Sequence, residues 1–278
     1  MKRFFILLLV AFLAAPVFPR SAEYTLEDIS AALAAKEFTP YLQPVYSVWK
    51  GKITEAEVLS RWNKGGKIIP PGAYIPLLEK SKLIKDFDLY MLALACSYVK
   101  KIEQNSGMSI PLAVNFSRYT LSRPGIVEEI SGICEAFGVD TSLIGIEITE
   151  SFDLTSRKEA AAAISALKKK GFVTYIDDYG AGYTKFSDLK LFSPDILKLD
   201  KSFLPKDERL AEVSAQSICQ ITKRAHKAGM IVICEGVETE SQLALLEKCG
   251  VDWAQGYLKS KPLPLEDFIN KLKTDNKR

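Results

Sequence analysis

Eight short apolar, β-prone runs recur along this chain, and each ends in or is interrupted by a polar residue. The runs are 39–48, 53–62, 110–117, 143–149, 172–177, 196–199, 230–234 and 253–258. Helical signals fill most of the gaps. The stretch 124–137 opens on Pro124, and 156–170 is Ala-rich and stops at Gly171; Pro suits a helix start and Gly a helix end. Further helical stretches are 87–104, 207–228 closing at Gly229, and 239–249 closing at Gly250. Ahead of them, 25–36 places Leu26, Ile29, Leu33 and Ala34 on one face, as an amphipathic helix requires.

Strands alternating with helices pack as a parallel sheet covered by helices, and eight such units fit one barrel of about 250 residues. The chain has 278. The first connection is different. Val48-Trp49-Lys50-Gly51-Lys52-Ile53 reads as a tight hairpin, so the first two strands should run antiparallel. The expected fold is α/β, a modified TIM (β/α)8 barrel with an antiparallel first strand. It occupies residues 23–278, preceded by an N-terminal hydrophobic segment over 1–22. No internal repeat, low-complexity linker or second domain is visible.

Composition removes several function classes. The net charge is +3, and no basic cluster has the length of a nucleic-acid-binding tail, so no nucleic-acid polymer is expected as a partner. Lys168-Lys169-Lys170 closes a helix, where it complements the helix dipole. The single histidine, His226, lies in a polar helical stretch and reads as a surface residue, which argues against a Ser-His-Asp triad. Cys96, Cys134, Cys219, Cys234 and Cys249 are odd in number and none has CxxC spacing. That spacing argues against a structural zinc site and leans towards a reducing compartment.

The N-terminus leans the other way. Lys2 and Arg3 precede an apolar run, 4–18, interrupted by Pro16. It reads as a signal peptide or a membrane anchor, though it is short of the roughly 20 residues of a full span. A basic N-terminus places the rest of the chain outside the cytoplasm.

In a barrel of this kind, the C-terminal ends of the strands carry the chemistry. The polar residues there are Glu57 and Arg61 in the second run, Asn115 in the third, Glu147 with Glu150 beyond it in the fourth, and Asp177-Asp178 in the fifth. Lys198, Glu235 and Gln255 occupy the last three. Taken singly, each has an ordinary reading as a helix cap or a surface pair, and the acidic doublet fits a solvated loop as well as a metal site. Taken together they do not, because buried strands rarely carry charge unless it is paired or metal-bound. Five carboxylates and an amide oxygen, with no His or Cys, suit Mg²⁺ or Mn²⁺ rather than Zn²⁺. So many acids suggest two ions, an arrangement that serves in-line phosphoryl displacement. Asp177 is placed to bridge and Asp178 to hold one ion, while Lys198 holds a water or neutralises a phosphate.

From about residue 25 to 275 the chain resembles the EAL-domain family of cyclic di-GMP phosphodiesterases. The signature tripeptide appears as Glu57-Val58-Leu59, followed by Ser60-Arg61-Trp62. The similarity continues through Tyr41-Leu42-Gln43-Pro44-Val45, Val114-Asn115-Phe116-Ser117, Glu147-Ile148-Thr149-Glu150, Asp177-Asp178-Tyr179-Gly180-Ala181-Gly182-Tyr183, Leu197-Lys198-Leu199-Asp200, Glu235-Gly236-Val237-Glu238 and Gln255-Gly256-Tyr257. The resemblance implies that Glu57, Asn115, Glu147 and Asp177 bind one metal, and that Asp177, Asp178 and Glu235 serve the second. It implies catalytic roles for Lys198, Glu235 and Glu57, and nucleotide contacts for Gln43, Leu59, Arg61 and Gln255. Glu150, Gly180 and Gly182 would support the loop after Asp178, through which a homodimer forms. The activity it implies is hydrolysis of cyclic di-GMP to linear 5′-pGpG with two Mg²⁺ or Mn²⁺ ions. The alternative is an inactive module that binds cyclic di-GMP or a partner protein. Val58 and Ser60 depart from the family pattern without removing a ligand. Because cyclic di-GMP is a cytoplasmic signal, the resemblance favours a barrel in the cytoplasm anchored to the inner membrane by residues 4–18, with export to the periplasm as the alternative.

Overall fold

The computed structural model describes residues 24–149, 157–180, 189 and 191–276. The strands are β1 (Phe38–Ser47), β2 (Ile53–Lys64), β3 (Lys67–Ile69), β4 (Leu112–Asn115), β5 (Ile144–Thr149), β6 (Val173–Tyr179), β7 (Ile196–Leu199), β8 (Ile231–Cys234) and β9 (Trp253–Ala254). They form one sheet in the order β1-β9-β8-β7-β6-β5-β4-β2-β3, and β1 also pairs with β2, which closes the barrel. β1 is antiparallel to both β2 and β9. From β2 round to β9 the other barrel strands are parallel. The barrel with a reversed first strand is therefore the fold that the sequence predicts.

Three elements differ from expectation. β3 extends β2 as a hairpin (Trp62 opposite Ile69), turned at Gly65-Gly66, a signal present in the sequence. β9 is two residues long because the chain leaves the sheet at Gln255, whose carbonyl accepts from the Val237 amide. The helix Leu265–Asn276 buries Phe268, Ile269 and Leu272. Its Asn276 side chain takes the Ile53 amide and donates to the Ile53 carbonyl, fastening the start of β2.

Side chains on a strand alternate between faces. Val45, Ala113, Tyr175, Ile196 and Ile233 form a small buried cluster, with Val173, Ile231 and Trp253 packed against it. Most of its members lie two positions from a polar residue named above: Val45 from Gln43, Ala113 from Asn115, Tyr175 from Asp177, Ile196 from Lys198, Ile233 from Glu235 and Trp253 from Gln255. These residues therefore share the barrel interior in layers, apolar below and polar above. The intervening residues, among them Val58, Val114, Ile146, Ile176, Leu197 and Val232, belong to the larger core under the helices. In that outer core Phe38, Trp62, Tyr74 and Phe87 pack ring against ring with centroids 5.1–6.1 Å apart.

Candidate metal centre

The floor of the site is polar but satisfied. Tyr175 on β6 donates from its hydroxyl to Glu55 Oε2 at 2.7 Å across the barrel. Gly145 on β5 makes room for that ring, since a Cβ there would stand 2.5 Å from it. Burial pushes the Glu55 carboxyl up to about 7. Neither Glu55 nor Tyr175 stands out in the sequence, because each resembles an ordinary strand residue until the pairing across 120 positions is seen.

One step higher, Lys198 is buried and its ammonium lies among four carboxylates. Nζ is 3.3 Å from Glu57 Oε2, 3.0 Å from Asp177 Oδ1 and 2.6 Å from Glu235 Oε1, and it also contacts Glu147 Oε1. Lys198 makes no surface pair, because position 198 faces inward. Glu57 is held on both oxygens: Oε1 accepts from Asn115 Nδ2 at 3.1 Å, and Oε2 from Gln255 Nε2 at 2.8 Å and from Lys198. Gln43 lies directly across the β1–β2 ladder from Glu57 and donates to the Ser260 carbonyl at 3.4 Å.

The acidic doublet is aimed by a backbone irregularity. The β6–β7 register runs Ile176 with Leu197 and then Tyr179 with Leu199, so β6 contains one extra residue. Asp178 takes that place at φ 54°. A bulge re-aims side chains that simple alternation would send to opposite faces, and the left-handed backbone is strained for a residue other than Gly, although Asp tolerates it better than most. Asp177, Asp178 and Glu235 accordingly bring one oxygen each to within 4.8 Å of one another; so do Glu57, Glu147 and Glu235. Glu235 belongs to both groups.

The electrostatics show what the cluster lacks. Burial drives Glu147 well above the ordinary carboxylate range. Lys198 opposes this, and Glu57, Asp177 and Glu235 add to it. Burial and the same neighbours bring Glu235 up to about 8, and burial with Asp177 brings Asp178 up to about 6. For Lys198 burial acts downward, but Asp177, Glu147, Glu235 and Glu57 outweigh it and hold the ammonium well above its usual value. Glu147 Oε2 and Gln255 Oε1 are buried without a hydrogen-bond partner, and Asp177 Oδ1 is close to Lys198 without being aligned for a hydrogen bond. Buried oxygens left unpaired are costly. One ammonium among this many acids leaves a deficit of positive charge that hard divalent cations would correct. The donor set thus fits the Mg²⁺ or Mn²⁺ expected from sequence.

The site opens into a cleft of about 360 Å³ bounded by Gln43, Leu59, Asp178, Gln255 and Tyr257. Asp200, Lys201, Gly236 and Glu238 also face it. The sequence signal for these four lies in the Leu-Asp-Lys and Glu-Gly-Val-Glu segments just past β7 and β8. An apolar chamber of about 260 Å³ adjoins it at Glu57 and Leu59 and is lined by Pro71, Ile75, Phe87, Met91, Asn115 and Phe116. Arg61 does not line either space; its guanidinium lies over the Tyr41 ring, 5.4 Å from the centroid, and donates to the Ser60 carbonyl. Val58 packs in the outer core, and the Ser60 hydroxyl accepts from Tyr74, so neither departure touches the ligand set. Gly180 is described, whereas Glu150, Gly182 and the other residues of 181–188, on which the dimer expectation falls, lie outside the described residues.

Two cysteine pairs are not visible in the sequence. Cys219 and Cys249 form a disulfide, and the buried Cys96 and Cys134 touch at 3.8 Å between sulfurs. Sequence spacing says nothing about such pairing through space. His226 is exposed, as expected, and contacts Asp252 at 2.8 Å. Among the described residues no helix is long and apolar enough to cross a membrane, and the run 4–18 lies outside them.

A closed barrel with carboxylates gathered at the C-terminal ends of its parallel strands defines a class, the barrel with a buried acidic cluster able to hold a metal. The particular family is given by comparison: the EAL domain profile matches residues 26–262, and the chain belongs to that family. It is 32% identical over 247 residues to "Cyclic di-GMP phosphodiesterase PdeL" of Escherichia coli (strain K12), covering 88% of this chain and 68% of PdeL. It is 29% identical over 256 residues to "Cyclic di-GMP phosphodiesterase NbdA" of Pseudomonas aeruginosa, covering 90% of this chain but 32% of NbdA. Among solved structures, a complex described as "PaMucR Phosphodiesterase, c-di-GMP complex" superposes with a TM-score of 0.79 at 27% identity, covering 87% of this chain and 98% of that one.

Proposed function

We propose that this barrel hydrolyses cyclic di-GMP to linear 5′-pGpG. The observation that carries the reading is the buried acidic cluster of Glu57, Glu147, Asp177, Asp178 and Glu235, gathered near Lys198 beside an open cleft, with Asn115 bonded to Glu57. The naming of relatives as cyclic di-GMP phosphodiesterases supports it. Glu57, Asn115, Glu147 and Asp177 would hold one divalent ion, and Asp177, Asp178 and Glu235 the other. Bound there, the ions would supply Lewis acidity to the phosphate and acidify the attacking water.

The chain's own residues do the positioning. The Lys198 ammonium, fixed by four carboxylates, is a donor that can orient a water or a phosphate oxygen. Gln255 and Asn115 hold both Glu57 oxygens in place. Leu59 stands where the polar cleft meets the apolar chamber, so a phosphodiester in the first can have a flat base desolvated in the second. A homodimer through the loop after Asp178 belongs to the same reading. The test is incubation of the purified protein with cyclic di-GMP and Mn²⁺ or Mg²⁺, followed by separation of cyclic and linear products. Formation of 5′-pGpG, lost in Glu57→Ala, supports the reading; binding without linear product overturns it.

A further inference from the structure

Four of the five cysteines lie in two contacting pairs. One pair is a bonded disulfide between Cys219, in the helix Ala211–Lys227, and Cys249, at the C-terminal end of the helix Glu240–Lys248. These helices flank β8, one before and one after. The 30-residue loop closed by the bond therefore contains β8 and Glu235, the carboxylate shared by both acidic groups. Cys219 is half-buried in the outer layer, so a thiol oxidant can reach it without opening the barrel. Stable disulfides are rare where glutathione and thioredoxin keep thiols reduced. Lys2-Arg3 followed by the apolar run 4–18 has the pattern of a segment that carries a chain out of that environment.

We propose that Cys219 and Cys249 are joined in the mature protein as a covalent clasp around the Glu235 arm of the site, and that the barrel works in an oxidising compartment beyond the cytoplasmic membrane. The inference rests on the cysteines and the N-terminal pattern, not on the phosphodiesterase reading. Taken with that reading, it makes the substrate a dinucleotide that has already left the cytoplasm. The bond forms by thiol–disulfide exchange with a disulfide donor, either a protein thiol oxidase or a small disulfide. One cysteine thiolate attacks the donor, giving a mixed disulfide. The other thiolate displaces the donor sulfur. The two cysteines give up two protons and two electrons, and the donor leaves as a dithiol if its sulfurs share one molecule, or as two thiols if it is a small linear disulfide.

The test uses the full chain with a C-terminal reporter active in one compartment only, produced in a bacterium with intact export. Cells are quenched in acid, thiols are alkylated before or after reduction, and the labelled peptides are counted by mass. The expected result is an exported reporter, a Cys219–Cys249 cross-linked peptide, and labelling of both residues about tenfold lower before reduction than after, because a structural disulfide resists reduction. In the full-length variant Leu8→Arg/Val10→Arg, with the apolar run broken, both residues label equally before and after reduction. Equal labelling in the unaltered chain overturns the proposal. So does a cross-link that forms as fully in the variant that stays inside. The readout is thiol state and location, so it stands or fails separately from hydrolysis.

Discussion

Replacing Lys198 with Met removes the cation around which the site is built and leaves a side chain of similar length. The ammonium is within 3.3 Å of Glu57, Asp177 and Glu235 and also contacts Glu147. At an effective dielectric constant near 20, each charge pair at such a distance is worth roughly 4–6 kcal/mol before desolvation. Taking the ammonium out of water offsets most of that gain, but the carboxylates that stay behind have no substitute cation. Removing one member of a buried ion pair costs about 3–5 kcal/mol. For a domain of this size the melting temperature then falls by roughly 6–20 °C. Divalent cations occupy the same deficit of charge, so Mn²⁺ should raise the melting temperature of Lys198→Met more than that of the parent, while hydrolysis stays lost. The assay is thermal unfolding followed by circular dichroism, in chelator and in Mn²⁺. A variant that melts within about 2 °C of the parent in chelator, well below the expected shift, would refute the reasoning. So would a larger Mn²⁺ gain in the parent.

Three further outcomes are expected of the same fold. Reducing the Cys219–Cys249 bond frees a 30-residue loop and should cost about 3–4 kcal/mol by loop-closure entropy, read as a lower denaturation midpoint in dithiothreitol and no such change in Cys219→Ser/Cys249→Ser. Asp88 is buried, accepts from the Ser117 amide at 2.8 Å and the Thr120 hydroxyl at 2.7 Å, and burial pushes it up to about 7. The folded state therefore holds a proton there that the unfolded chain has released. Stability from this group is present below the unfolded value, near 3.8, and is lost as pH rises towards 7, a loss on the order of 3–4 kcal/mol. Asp88→Asn keeps the acceptor, so it should flatten the stability profile measured by denaturant between those limits. Gly256→Ala would place a Cβ 2.1 Å from the Val237 carbonyl oxygen and 2.3 Å from its nitrogen. Backbone atoms cannot swing away, so a loss of about 1–3 kcal/mol is expected from the overpacking, with weaker Mn²⁺ binding by titration calorimetry as Gln255 and the Glu235 loop are displaced.

The barrel was legible because its inner and outer faces are written differently. Outward strand positions feed a continuous apolar core, while inward ones change from apolar to polar within two residues, as Ile196 to Lys198 and Ile233 to Glu235 do. That change of character, repeated around the barrel, disclosed the acidic cluster before any contact was known. What stayed hidden depends on relations that a linear pattern does not hold. Asp178 reaches the site through one extra residue in β6, and nothing in Tyr-Ile-Asp-Asp-Tyr distinguishes a bulge from a regular strand end. Glu55 and Tyr175 meet across the barrel only because Gly145 leaves space between them. Cys219 and Cys249 lie on separate helices, and only the packing of those helices around β8 brings them together. The stacking of Arg61 on the Tyr41 ring is a further relation between strands that the linear pattern does not show.

The central claim is that the acids around Lys198 form a working hydrolytic centre for a cyclic dinucleotide. Its most direct test is the time course of cyclic di-GMP conversion by the purified protein, with Mn²⁺ and with excess chelator, alongside Glu57→Ala. Linear 5′-pGpG is expected with Mn²⁺, none with chelator, and none from Glu57→Ala even though that variant remains folded. Cyclic di-GMP bound but still intact after prolonged incubation with Mn²⁺, or a Glu57→Ala variant as active as the parent, would contradict it.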